Sequence, residues 1–286
     1  MTLSKKYLSM AALALLCAAV FPSCKGDGKK DQPTPPPAEE KSLIASLTVK
    51  GTSELKNFPT REYFYTYQYS YDKSGRVTSV ALRGDDNEDW SFTYGDGMMT
   101  ITVDSERIEF LTDANGYIVR DKTGDYSATH DAEGHLLQLL WEDDSYTHNE
   151  SYTLKWKGDL LSEALCSIAN GHSITTTLVY SKTMKPAGLG IIYGCLGGDL
   201  SDGDIFPLRM WLGKEPTYLP SKVITHYAKD GKQYSEEITT FDATPDAKGR
   251  PEKIFVTETS YEYDQYKGKN PLPDSKAVST IEITYK

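Results

Sequence analysis

The sequence predicts an all-β fold: a large, curved antiparallel meander sheet of β-hairpins, open or partly closed into a barrel. Three observations predict it. Apolar and aromatic residues recur at every second position through most of the chain, the period of a strand with one covered face. Tight-turn signals separate these runs at short intervals, and short reversals join antiparallel neighbours, not parallel crossovers. Tyrosine is abundant, 20 of 286 residues, and it favours half-buried strands.

The N-terminal 23 residues read as a lipoprotein signal peptide. Lys5 and Lys6 supply a positive start, and Ala11 to Val20 supplies an apolar core too short to span a bilayer. Ser23 places a small residue before Cys24, the candidate lipidation site; the rival Cys17 follows the bulky Leu16. Residues 24–42 are rich in Pro, Gly and Lys and nearly free of apolar side chains, so they cannot bury a core. As an extended tether they would hold a domain on the order of 40–50 Å from a membrane. Residues 43–286 then form a single antiparallel β domain. The expected location is the outer membrane, through lipid on Cys24, with the periplasmic face and the cell surface both open.

Charge narrows the partners. Removing residues 1–23 takes away Lys5 and Lys6 and no acid, leaving 29 basic against 41 acidic residues, a net charge of −12. Such a surface repels nucleic acid and anionic lipid headgroups. Cys166 and Cys195 are a candidate disulfide for an oxidising compartment. A bridge between them would stabilise the fold by roughly 3–4 kcal/mol; two buried thiols are the alternative.

Within the domain two turn types recur. Asp-x-x-Gly occurs at Asp72–Gly75, Asp113–Gly116, Asp121–Gly124, Asp131–Gly134 and Asp246–Gly249. The Asp carboxylate accepts backbone N–H bonds early in such a turn, and Gly supplies the positive φ at its end. Asp96-Gly97, Asn170-Gly171 and Asp230-Gly231 are two-residue hairpin signals. Between the turns the runs alternate. Tyr63, Tyr65, Tyr67, Tyr69 and Tyr71 share one face of a strand; Trp90, Phe92 and Tyr94 repeat the pattern, as do Tyr152, Leu154 and Trp156. This spacing gives about 14–17 strands. Near residues 200–216 the rhythm breaks, and Phe206 to Leu212 suits a short helical or irregular insertion ending at Gly213.

Tyr71-Asp72 through Gly75-Arg76-Val77 resembles the tyrosine–aspartate repeats of large bacterial shell proteins. A fuller match adds Leu212-Gly213-Lys214, Leu219 to Val223, and Asp246 through Gly249-Arg250-Pro251 with Ile254. Over residues 43–286 the chain resembles a family of lipoproteins from Gram-negative gut and oral bacteria, a domain of unknown function with a porin-like fold. The resemblance implies a curved, multi-stranded antiparallel sheet. It implies no activity and carries over no catalytic residue.

No nucleophile elbow, zinc-protease helix or phosphate loop occurs, so no catalytic residue and no cofactor are assigned. His130, Asp131 and His135 flank one turn, and the two imidazoles could meet across its mouth. A zinc site would need further ligands beyond Glu133, and no metal site is assigned. Asp85, Asp86, Glu88 and Asp89 lack the spacing of a calcium loop, and Asp199, Asp202 and Asp204 echo one incompletely. The tyrosine row is the candidate ligand-binding feature: exposed, it is a platform for a sugar or a protein; turned inward, it is core. The function expected is a non-catalytic, lipid-anchored envelope protein binding a glycan or a protein partner. A glycan or lipid hydrolase is the alternative, since a carboxylate pair needs only geometry. An integral barrel pore is the lesser one, because the alternate rows carry Thr, Glu and Gln.

Overall fold

The computed structural model describes residues 43–103, 106–142, 149–180, 213–264, 268–269 and 273–286. Seventeen strands follow one another there: β1 (Ile44–Leu55), β2 (Arg61–Tyr71), β3 (Val77–Gly84), β4 (Glu88–Gly95), β5 (Met98–Val103), β6 (Glu106–Thr112), β7 (Ile118–Asp121), β8 (Tyr126–His130), β9 (Leu136–Trp141), β10 (Glu150–Lys157), β11 (Leu160–Ile168), β12 (His172–Val179), β13 (Lys222–Lys229), β14 (Lys232–Pro245), β15 (Pro251–Asp264), β16 (Gly268–Lys269) and β17 (Ser275–Tyr285). Each pairs antiparallel with the next, except that β16 only extends β15 locally. β17 pairs with β15 on one side and with β1 on the other. The ring is therefore complete: a closed antiparallel barrel of 16 strands. The meander expected from the sequence closes fully, which removes both sheet edges. The expected insertion near 200–216 falls mostly outside the described residues; its described part, Gly213 to Pro216, is neither helix nor strand.

Alternation sets inside from outside. The inward rows include Leu47, Val49, Tyr67, Val80, Phe92, Ile101, Tyr126, Leu139, Tyr152, Ile174, Val223, Ile254 and Ile281, all buried in one continuous core. Each such side chain contributes roughly 1.5–3 kcal/mol by leaving water. The outward rows carry Lys50, Glu62, Gln68, Arg83, Asp89, Thr93, Lys155, Thr177, Lys276 and Glu282, all exposed. A membrane-spanning barrel has the opposite arrangement, an apolar band outside and polar groups within. Here the interior is apolar over most of its length, and the outward rows mix charged side chains with exposed apolar ones, Phe64, Leu140, Leu165, Val179, Phe255 and Val278 among them.

The two ends differ. At one end lie the β2–β3, β6–β7, β8–β9 and β14–β15 connections, each an Asp-x-x-Gly turn. In the first, Gly75 N–H donates to Asp72 O at 3.0 Å, and Asp72 N–H donates to Arg76 O at 2.8 Å. Gly75 has φ +77°, the left-handed conformation that glycine adopts without strain. The extra residue shifts the register beside each of these turns, at Tyr71, Thr112, His130 and Pro245. Asp121–Gly124 shares the sequence pattern but lies at the opposite end, in the β7–β8 connection.

Candidate functional site

The turn end is a built, repeated structure. Asp72 Oδ1 accepts the N–H groups of Ser74 and Arg76 at 2.8 and 2.9 Å, and Oδ2 accepts Arg76 Nε at 2.7 Å. Asp246 does the same with Lys248 and Arg250. Asp131 holds Glu133 and His135, with His135 Nδ1 at 2.8 Å from Oδ2. The fourth side chain after each of these Asp residues then lies on an aromatic ring: Arg76 on Tyr94, Arg250 on Tyr285, His135 on Trp156. Each ring's polar tip donates back to a carbonyl, Tyr94 to Val77, Tyr285 to Pro251 and Trp156 to Leu136, at 2.7–2.9 Å. Burial alone would raise the carboxyls of Asp72, Asp131 and Asp246. The hydrogen bonds outweigh it and hold them below the usual carboxylate range.

These contacts explain the His-Asp turn without a metal. Asp131, Glu133 and His135 bring three ligand atoms within 4.8 Å, but Asp131 is occupied as its counterparts Asp72 and Asp246 are. His135 Nε2 lies 3.2 Å from Asp159, and Lys214 reaches the same carboxylate at 2.8 Å. His130 stacks on Tyr117.

The tyrosine row faces inward. Tyr65, Tyr67 and Tyr69 are 3–6% exposed, and Tyr63 and Tyr71 are half-buried. An exposed five-ring platform is thereby corrected: the middle rings are core, because their parity on β2 matches the inward rows of β1 and β3. Cys166 is buried, its thiol 3.8 Å from Glu150. Cys195, the proposed disulfide partner, lies outside the described residues, as do Cys24 and the acidic loop at Asp199.

The open feature is on the outer face near the other end. A shallow depression of about 620 Å³ is lined by Lys50, Thr52, Glu62, Phe64, Asp85 and Val278, among others. Phe64 is 44% exposed there. At Gly51 a Cβ would collide with the Tyr63 ring and the Val278 carbonyl, so only glycine fits beneath the Tyr63 ring there. Asp85 fixes the rim by accepting Phe64 N–H at 3.0 Å and donating its own N–H to Phe64 O at 3.1 Å. An exposed ring between an ammonium group and two carboxylates can stack on a sugar face and bond its hydroxyls.

Behind the depression, inside the wall, lie two acids that sequence reading passed over. Glu237 on β14 and Glu258 on β15 have inward parity, matching Thr239 and Phe241 on one strand and Ile254 and Val256 on the other. The register sets Glu237 opposite Ser260 and Glu258 opposite Thr239, making the two acids diagonal neighbours. Burial raises the Glu237 carboxyl to about 7, although the Tyr227 hydroxyl bonds to it. Burial and the nearby Glu237 charge raise Glu258 well above the usual range. The available signal was an acid on the apolar parity of each strand.

No protein-family model matches the chain, and no curated protein matches it. Among solved structures it is similar to a porin-like protein from Bacteroides uniformis ATCC 8492, at 14% identity and TM-score 0.56, covering 85% of this chain and 98% of that one. A porin-like protein from Bacteroides vulgatus ATCC 8482 is similar at 13% identity and TM-score 0.48, covering 86% of this chain and 99% of that one. Identity this low speaks to fold alone. The fold is the closed, porin-like antiparallel barrel.

Proposed function

We propose that this chain is a non-catalytic envelope lipoprotein, held on the outer membrane by lipid on Cys24, whose barrel binds a glycan in the depression around Phe64. The observation that carries the reading is that depression: an exposed aromatic ring flanked by Lys50, Glu62 and Asp85. The charged side chains spread through the outward rows support a barrel standing in water over one spanning the bilayer. Topology supports the orientation. β1 begins at the turn end, so a tether running into Ile44 would set that end toward the membrane and the depression away from it.

Two experiments test this. Binding of the purified protein to an array of bacterial and plant polysaccharides should fall at least tenfold in Phe64→Ala, with melting unchanged; full binding by the variant would remove the depression from consideration. Cys24→Ala should release the folded protein into the soluble fraction, and an unmodified native N-terminus at another residue by mass spectrometry would end the anchor reading.

The hydrolase reading draws on Glu237 and Glu258, a pair that retains a proton near neutral pH. They face the interior while the depression faces out, which favours binding over turnover. Turnover of any polysaccharide in the same set, lost in Glu258→Gln, would reverse that preference.

A further inference from the structure

Glu237 and Glu258 lie side by side on the inner face of the wall, and among the described residues no ion pair with a basic side chain is formed by either. Every other inward or half-covered carboxylate described above has a donor facing it: Arg76 for Asp72, Arg250 for Asp246, His135 for Asp131. Glu236, next in sequence but on the outer face, is held by Lys269 and Tyr263. Glu258 has no such partner. Its Oε1 is sealed from solvent and accepts no hydrogen bond. A buried acceptor left in this state costs about 1–3 kcal/mol, and more when charged.

The surroundings define what would relieve it. Glu237 is paired across the sheet with Thr225 and Ser260, and Glu258 with Thr239 and Ala277. Tyr227 reaches Glu237. Tyr63, lying over Gly51, bonds Ser279 and feels the Glu258 charge. These neighbours bring hydroxyls or nothing; none brings a nitrogen. A cradle of two carboxylates and hydroxyl oxygens is the chemistry of a hard cation. Calcium suits it better than magnesium, because calcium accepts irregular oxygen sets and sheds its water readily, whereas magnesium demands near-octahedral geometry and keeps its waters.

We propose that Glu237 and Glu258 form a calcium-binding site inside the barrel wall, with hydroxyl groups of the adjoining strands completing the oxygen shell. Calcium would neutralise the two acids and tie β14 to β15 on the inner side of the depression. The site is independent of the glycan reading and stands or falls separately.

The test uses the full-length protein purified in detergent, with terbium as a luminescent stand-in for calcium. Tyr63 and Tyr227 adjoin the site, so excitation of tyrosine should produce terbium emission that calcium displaces. Calcium should also raise the melting temperature. Glu258→Gln and Glu237→Gln should each weaken both responses at least tenfold while circular dichroism shows an unchanged barrel; should one variant fail to fold, the other decides. Asp131→Asn, which disrupts the His135 turn cluster, should leave both responses intact. Several outcomes overturn the proposal: no melting shift with calcium, emission that survives in the glutamine variants, or emission lost in Asp131→Asn. Stabilisation by 1,6-diaminohexane in place of calcium would also overturn it, assigning the acids to an organic ammonium.

Discussion

Two regions of the barrel solve the same electrostatic problem in opposite ways. At the turn end each key carboxylate is fastened by backbone N–H groups and by a basic side chain that itself lies on an aromatic ring. Further along the wall two glutamates sit diagonally across neighbouring strands, and one oxygen has no partner at all. The first arrangement is repeated from turn to turn, the mark of structure. The second is incomplete on its own terms, and buried incompleteness of this kind is where proteins keep binding sites. The contrast separates framework from function within a single sheet.

The largest effect should come from the wall shared by both regions. Tyr67→Ala, at a position 3% exposed, should cost about 3–5 kcal/mol, seen as a steep fall in melting temperature. A shift as small as that of a surface mutant would mean the row is not core and would undo the inward assignment of β2.

The next prediction sets one region against the other through pH. Asp72, Asp131 and Asp246 have depressed folded-state pKa values, so their stabilisation is present above the ordinary Asp value and is lost as pH falls through the folded one. Glu237 works in reverse. Its folded pKa is raised from 4.5 to about 7, so its contribution is complete below the unfolded value and is lost as pH rises through about 7. Without calcium, melting temperature should therefore fall on both sides of an acidic optimum. Glu237→Gln should flatten the alkaline side and stabilise the protein near pH 8 by on the order of 3 kcal/mol. An unchanged alkaline limb would deny that this acid is buried against its neighbour.

Asp72→Ala should cost about 1 kcal/mol through lost turn hydrogen bonds, equally at pH 5 and pH 8, because both lie above the ordinary Asp value, with the loss shrinking only as pH falls below that value; calcium binding should be untouched. Chemical denaturation at pH 5, at pH 8 and in strong acid would show it; unequal losses at pH 5 and pH 8 would mean that the effect does not come from this carboxylate's turn bonds. The smallest stability effect should be that of Phe64→Ala, within about ±0.5 kcal/mol as for surface sites. A larger cost would make Phe64 a packing residue.

Local chemistry was legible and long-range chemistry was not. The strand count, the Asp-x-x-Gly turns and the inward rows follow from period two and from what Asp and Gly do in a turn. Asp121–Gly124 shows the limit: its motif matches the others, yet connection order places it at the opposite end. Closure depends on β1 meeting β17, more than 200 residues away, and nothing local announces it. Glu237 and Glu258 are 21 positions apart and adjoin only because the β14–β15 register makes them diagonal. Each stood out as an acid among Ile, Val, Thr and Phe, but only pairing gives that oddity meaning.

The closing seam has a consequence for biogenesis. β1 and β17 join over Ile44–Leu55 and Ser275–Tyr285, and Lys286 N–H still reaches Leu43 O at 2.8 Å. The first described strand is thus mated to the last. Until β17 is in place, β1 and β15 present two long unpaired edges, each a template for pairing with another chain. A chain halted just short of Ser275 should aggregate, although it carries nearly the whole core.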